Sequence, residues 1–236
     1  MGRSLTIQLD NLFDKWIKTH LDLYERDNMS SPYFVRDGII NEKKFEAQKE
    51  RILFICKEPN DPDPDKSWDF RDWWKKGIQF SFSHRIAEWA YFLLEAAEGR
   101  DPSFQGTHYA KKKEALQSIA FMNLKKTGGG GAANYQEILR HVNRTEDLLR
   151  RQIQIIDPTL IITCFPGDEY GDVWPALFED HSSINWCHSG YEEQKIARWN
   201  EKCRILEFVH PSARYPKAMM FAYLARIRKG RHYRDL

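Results

Sequence analysis

RILFICKEPN, residues 51–60, sets five apolar residues in a row and then turns polar at Lys57 and Glu58 before Pro59. A short unbroken apolar run suits a strand buried on both faces better than a half-exposed one, which would alternate. The same construction returns at FVHPSAR, residues 208–214, where an apolar run ends in His210 just before Pro211. Were these two strands to end at one edge of a parallel sheet, a carboxylate and an imidazole would meet there. That carboxyl edge is where open α/β sheets bind ligands.

Working outward, SIAFMNL at 118–124, TLIITCF at 159–165 behind Pro158, and CRILEFV at 203–209 read as three more buried strands. Helical patterns lie between and around them. Leu5, Leu9, Leu12, Phe13, Trp16, Ile17, Leu21 and Tyr24 recur at spacings of three and four, a second pattern runs from Ile86 to Leu94, a third starts near Tyr135, and the C-terminus is helical. Parallel neighbours need long crossovers, so this alternation predicts an α/β fold. The expected form is a three-layer α/β/α domain with a central, mainly parallel four-stranded sheet. One domain spans residues 1–236, with an N-terminal helical segment over 1–50. The polar, proline-rich stretch at 60–77 reads as a loop, and its Trp68, Trp73 and Trp74 as a packed mini-core.

An apolar fraction of 42% supports a sizeable core, while 30% charge and only ten prolines argue against extensive disorder. A formal charge of +2 is too small to imply a polyanionic partner. The runs Lys111, Lys112, Lys113 and Arg226, Arg228, Lys229, Arg231 read as solvated faces able to form local positive patches. No stretch approaches the roughly 20 apolar residues of a membrane helix, and the first residues lack a signal-peptide apolar core, so a cytoplasmic monomer without membrane contact is expected. Cys56, Cys164, Cys187 and Cys203 are widely spaced with no C-x-x-C pair, which points to reduced thiols rather than zinc or disulfides.

Four segments carry a resemblance in order. CKEPN at 56–60 resembles a motif in which a strand-end polar residue precedes proline, as in GQDPY or GINPG. GIQFSFS at 77–83 resembles GLxFSV, SIAFMNLKKT at 118–127 resembles LLLNxxLT, and HPSAR at 210–214 resembles HPSPL. These are motifs of the uracil-DNA glycosylase superfamily, and the matches span about residues 50–216. The resemblance implies a monofunctional DNA glycosylase that works without metal or organic cofactor. Glu58 takes the place of the water-activating acid and His210 that of the leaving-group histidine, with Lys57 and Pro59 beside the acid in the substrate pocket. Phe80 matches the residue that stacks on the extruded base, and Asn123 the one that reads the base edge. Ser212, Arg214 and Tyr215 fall in the loop that touches DNA. Departures are Cys56 in place of glycine, a glutamate one methylene longer than aspartate, and Arg214 in place of leucine.

The chemistry fits these residue types. Flipping a base costs several kcal/mol of stacking, and an aromatic face compensates for about 1–3 kcal/mol of it. Glycosidic cleavage builds positive charge on the sugar and negative charge on the departing base, which a carboxylate and a hydrogen-bonding imidazole share. An asparagine amide, turned either way, serves a uracil or a cytosine edge. Gly128, Gly129, Gly130 and Gly131 either leave room for a bulky base substituent or let backbone amides approach a phosphate or sugar. Some relatives in the superfamily defend bacteria by excising glucosylated hydroxymethylcytosine from phage DNA, and the glycine run points to that substrate class. A uracil repair glycosylase, a non-catalytic DNA-binding module and an enzyme of free nucleosides are the rival readings.

Overall fold

The computed structural model describes residues 4–27, 32–60, 66–129, 133–165, 170–179, 181–188, 195–230 and 233–234. In chain order its helices are α1 (Leu5–Asp27), α2 (Glu42–Glu46), α3 (Phe70–Lys76), α4 (Ser81–Ala97), α5 (Tyr109–Gln117), α6 (Tyr135–Ile156), α7 (Trp174–Leu177) and α8 (Lys217–Lys229). The strands are β1 (Val35–Arg36), β2 (Gly38–Ile39), β3 (Ile52–Cys56), β4 (Trp68–Asp69), β5 (Ala120–Asn123), β6 (Leu160–Thr163), β7 (Cys187–His188), β8 (Lys195–Arg198) and β9 (Arg204–Glu207).

The four apolar runs all form strands, and they are mutually parallel in the order β5-β3-β6-β9. Every residue of β3 is buried, which is why its run shows no alternation. Ile52, Phe54 and Cys56 face a core shared with Trp89 of α4, Leu116 of α5 and Leu224 of α8. Leu53 and Ile55 face the opposite core with Phe13 and Trp16 of α1 and Ile153 of α6. Helices therefore cover both faces, as the alternation predicts.

The expected four-stranded sheet is an undercount. The sheet has seven strands and is mixed, because β2 adds antiparallel to β5, β8 adds antiparallel to β9, and β7 adds antiparallel to β8. β2 and β7 are two residues each, and β8 holds only Ile196 and Ala197 as apolar residues, so none carries a periodic signal. β1 and β4 pair separately: β4 and helix α3 fall in the 60–77 stretch expected to be a loop, while β1 and β2 interrupt the helical segment expected over 1–50. Helix α4 starts at Ser81, ahead of the expected Ile86, because the Ser83 hydroxyl accepts from the Phe80 N–H at 3.4 Å and donates to the Phe80 carbonyl at 3.2 Å. Along α1, Leu21 is 40% exposed and His20 takes the buried position instead.

Two buried charge clusters fasten the sheet. Beside β2, Asp37 accepts from Lys126 Nζ at 2.8 and 2.7 Å, from Gln152 Nε2 at 2.7 Å and from the Asn123 backbone N–H at 2.8 Å. Burial lowers the pKa of the Lys126 ammonium from its ordinary value, with Asp37 opposing that shift. At the other end of β3, Glu50 accepts from the Tyr233 hydroxyl at 3.2 Å and faces Arg204 and Arg228, each at 3.4 Å. The two guanidinium groups lie over the Tyr233 ring at 5.2 and 4.2 Å from its centroid. All four cysteines are free. Among the described residues, no helix is long and apolar enough to cross a membrane.

Removing one partner of a buried ion pair strands the other charge, so Asp37→Ala is expected to cost about 3–5 kcal/mol in urea unfolding. Arg36, one residue earlier, pairs with Asp10 and Asp14, whose side chains are 41% and 63% exposed. Arg36→Ala is expected to cost no more than about 1 kcal/mol in the same measurement.

Candidate active site

Strands β3, β5 and β9 end at one edge, and the residues just past or at those ends are Glu58, Asn123 and His210. All three line a single cleft of about 360 Å³, together with Pro59, Asn60, Ser81, Ser212 and the rings of Phe70, Trp73, Phe80 and Phe82. The chain leaves β3 toward β5 on one side and later returns to β6 on the other. Glu58 thus stands at the point where the strand order reverses, the usual place for a ligand in such sheets.

The Glu58 side chain is 6% exposed, and its Oε2 accepts from Lys125 Nζ at 2.8 Å. Lys125 is itself buried, lies 2.8 Å from Glu137 Oε1 in the first turn of α6, and donates to the Gly128 carbonyl at 3.3 Å. One cation is therefore shared by two carboxylates. The other Glu58 oxygen, Oε1, is buried and accepts no hydrogen bond from the described residues. Gly129 closes over this carboxyl: its N–H donates to the Pro59 carbonyl at 2.8 Å, and it bridges Asn60 in parallel. A β-carbon at Gly129 would overlap the Glu58 carboxyl group, so the close approach requires glycine. Gly128 is fixed by Lys125, and neither it nor Gly129 lines the cleft as expected, because both are turned to the Glu58–Lys125 pair; Gly130 and Gly131 lie outside the described residues.

Asn123 is 1% exposed, and its backbone is held by Asp37. Its side-chain Nδ2 is buried without a hydrogen-bond partner among the described residues. An unmet buried donor costs about 1–3 kcal/mol, and a ligand acceptor in the cleft would recover it. At His210, the Ser212 N–H donates to Nδ1 at 3.2 Å, which assigns the ring proton to Nε2. Burial, and then the charge of Lys57, hold the pKa of His210 down to about 4. The imidazole is a neutral donor at physiological pH.

Phe80 sits at the mouth, 51% exposed, with its ring 5.3 Å from Trp73. Phe82 lies 5.9 Å from the His210 ring and 5.8 Å from Phe121. Both rings of the FSFS stretch therefore reach the cleft, where the motif alone points to Phe80. Instead of a separate mini-core, Trp74 joins the main core on the α4 side of the sheet and Trp68 and Trp73 pack against it, with Trp73 also lining the cleft.

Ser212 lines the cleft, whereas Arg214 and Tyr215 sit beside it on the exposed loop. Lys57, expected in the pocket with Pro59, is not among the lining residues; its ammonium lies over the Tyr170 ring, 5.6 Å from the centroid. It acts on the site through its charge at His210. Sequence reasoning missed Lys125, Glu137 and Arg85. The buried Arg85 of α4 donates to the Ala213 and Tyr215 carbonyls, each at 3.0 Å, and so fastens the loop after His210. The sequence signal for Lys125 and Lys126 was a lysine pair set directly on an apolar strand.

No family model matches the chain, and no curated protein matches it.

His210 and the buried His141 have pKa values of about 4 and about 3 against an ordinary 6.5, burial being the first cause in both. The unfolded chain takes up protons at these sites first. Their contribution to stability is expected to be complete above about pH 6.5 and to be lost as pH falls, through about 4 for His210 and about 3 for His141. Denaturant unfolding across that range should show the decline, and His210→Gln should make it shallower.

Proposed function

We propose that the chain is a monofunctional DNA glycosylase with a uracil-DNA glycosylase-like fold, hydrolysing the bond between a flipped, modified pyrimidine and its sugar. The observation that carries this reading is the convergence of Glu58, Asn123 and His210 on one aromatic-walled cleft. Glu58, paired with Lys125, orients a water and faces the positive charge that develops on the sugar. Neutral His210 donates from Nε2 to the base oxygen as that oxygen becomes anionic. Asn123 offers its unmet amide to the base edge, and a Phe80 or Phe82 ring supports the base face. The nucleophile is water, so the step asks for no cofactor.

Gly129 packs against the Glu58 carboxyl and does not line the cleft, so its part in this reading is to set the position of the acid. A substrate with a bulky base substituent, glucosylated hydroxymethylcytosine first among them, is the class we favour, in keeping with defence against phage DNA. Asn123 serves uracil as well, so substrate is decided by incubating the protein with DNAs carrying uracil, hydroxymethylcytosine or its glucosylated forms and identifying the released base by mass.

Glu58→Gln is expected to abolish release while sparing DNA binding. The glutamine oxygen still accepts from Lys125, and Glu137 still balances that charge, so the fold should survive. Alkali-labile sites persisting in this variant would remove Glu58 from the mechanism. Gly129→Ala should displace the carboxyl and reduce single-turnover release by about 100-fold. Lys125 is held between two carboxylates and does not line the cleft, so borohydride should trap no covalent adduct. A trapped adduct would replace the water mechanism with an amine one.

A further inference from the structure

At the cleft mouth and beside it, three aromatic rings stand in water: Phe80, which lines the mouth, is 51%, Tyr109 52% and Tyr215 49% exposed. They gather around the first turns of α4. The Tyr109 hydroxyl accepts from the Ile78 N–H at 3.4 Å, and its ring lies 6.4 Å from His84. Arg85, the next residue, grips the carbonyl of Tyr215. Positive charge surrounds the same turns. Lys112, paired with Glu88 at 3.4 Å, and the exposed Lys217 both act on His84, and the exposed Arg214 precedes Tyr215.

Resting on the glycosylase reading, we propose that this strip is a platform for unpaired nucleotides flanking the target base, so that the preferred substrate is single-stranded DNA. In a duplex the base faces are already stacked, and with Phe80 facing the target base, phosphate contacts alone would give Tyr109 and Tyr215 nothing to cover. In a single strand every base offers a face, and a run of rings among cations is how such strands are held. The loop after His210 argues the same way. Its tip is Ser212, Ala213 and Arg214, with no large aliphatic side chain to fill a vacated stack. Arg85 ties its carbonyls back toward α4.

The test uses the Glu58→Gln protein and a labelled mixed-sequence oligonucleotide, alone and annealed to its complement, with affinity read by fluorescence anisotropy. The single strand is expected to bind at least about tenfold more tightly, the scale of one stacked base. Tyr109→Ala and Tyr215→Ala should each weaken single-strand binding by roughly tenfold and leave duplex binding nearly unchanged, while the matching Tyr→Phe changes retain it. Both side chains are exposed, and thermal melting verifies that the variants fold. Equal or tighter duplex binding, or equal losses on both DNAs, overturns the strand preference while base release by the unaltered protein keeps the glycosylase reading. Absence of binding to either DNA together with absence of base release overturns both.

Discussion

Two consecutive lysines, Lys125 and Lys126, close strand β5 in a place water hardly reaches, and each must find an anion there. An unpaired buried ammonium costs several kcal/mol, so this requirement organises its surroundings. Lys126 draws in Asp37, which brings the short strand β2 alongside and anchors the backbone of Asn123. Lys125 draws in Glu58 from the end of β3 and Glu137 from the start of α6. The candidate catalytic acid is therefore part of the charge balance of the fold. Its position is set by a cation behind it, which leaves the second carboxyl oxygen uncommitted.

The same edge holds a carboxylate and an imidazole in different surroundings. Glu58 lies 2.8 Å from the Lys125 ammonium, while His210 is stripped of water and feels Lys57, both of which favour its neutral form. A fixed negative charge and an uncharged N–H donor thus coexist in one cleft, which suits a reaction that separates charge across a single bond. Gly129 completes the arrangement by bringing main chain up to the carboxyl, where any side chain would intrude.

The parallel centre of the sheet was legible because each strand is buried on both faces and so appears as an unbroken apolar run. The added strands were not, since two-residue strands such as β2 and β7 take their identity from a neighbour rather than from their own pattern. Glu58, Asn123 and His210 could be read because each marks the abrupt end of such a run. Lys125 could not, because a lysine pair before a glycine run looks like a solvated turn until Glu137, 12 residues on, is brought back over it. Arg85 was hidden similarly: nothing in α4 announces that its guanidinium grips a loop some 130 residues away.

The Glu50, Arg204, Arg228 and Tyr233 cluster lies at the amino end of β3, while the cleft lies at its carboxyl end. Anchorage of the C-terminal segment and ligand chemistry thus occupy opposite poles of the same strand, five residues apart in length. Substitutions that reshape the cleft mouth leave that anchorage untouched. The cleft end of β3 can therefore vary in sequence while Tyr233 stays held at the opposite end.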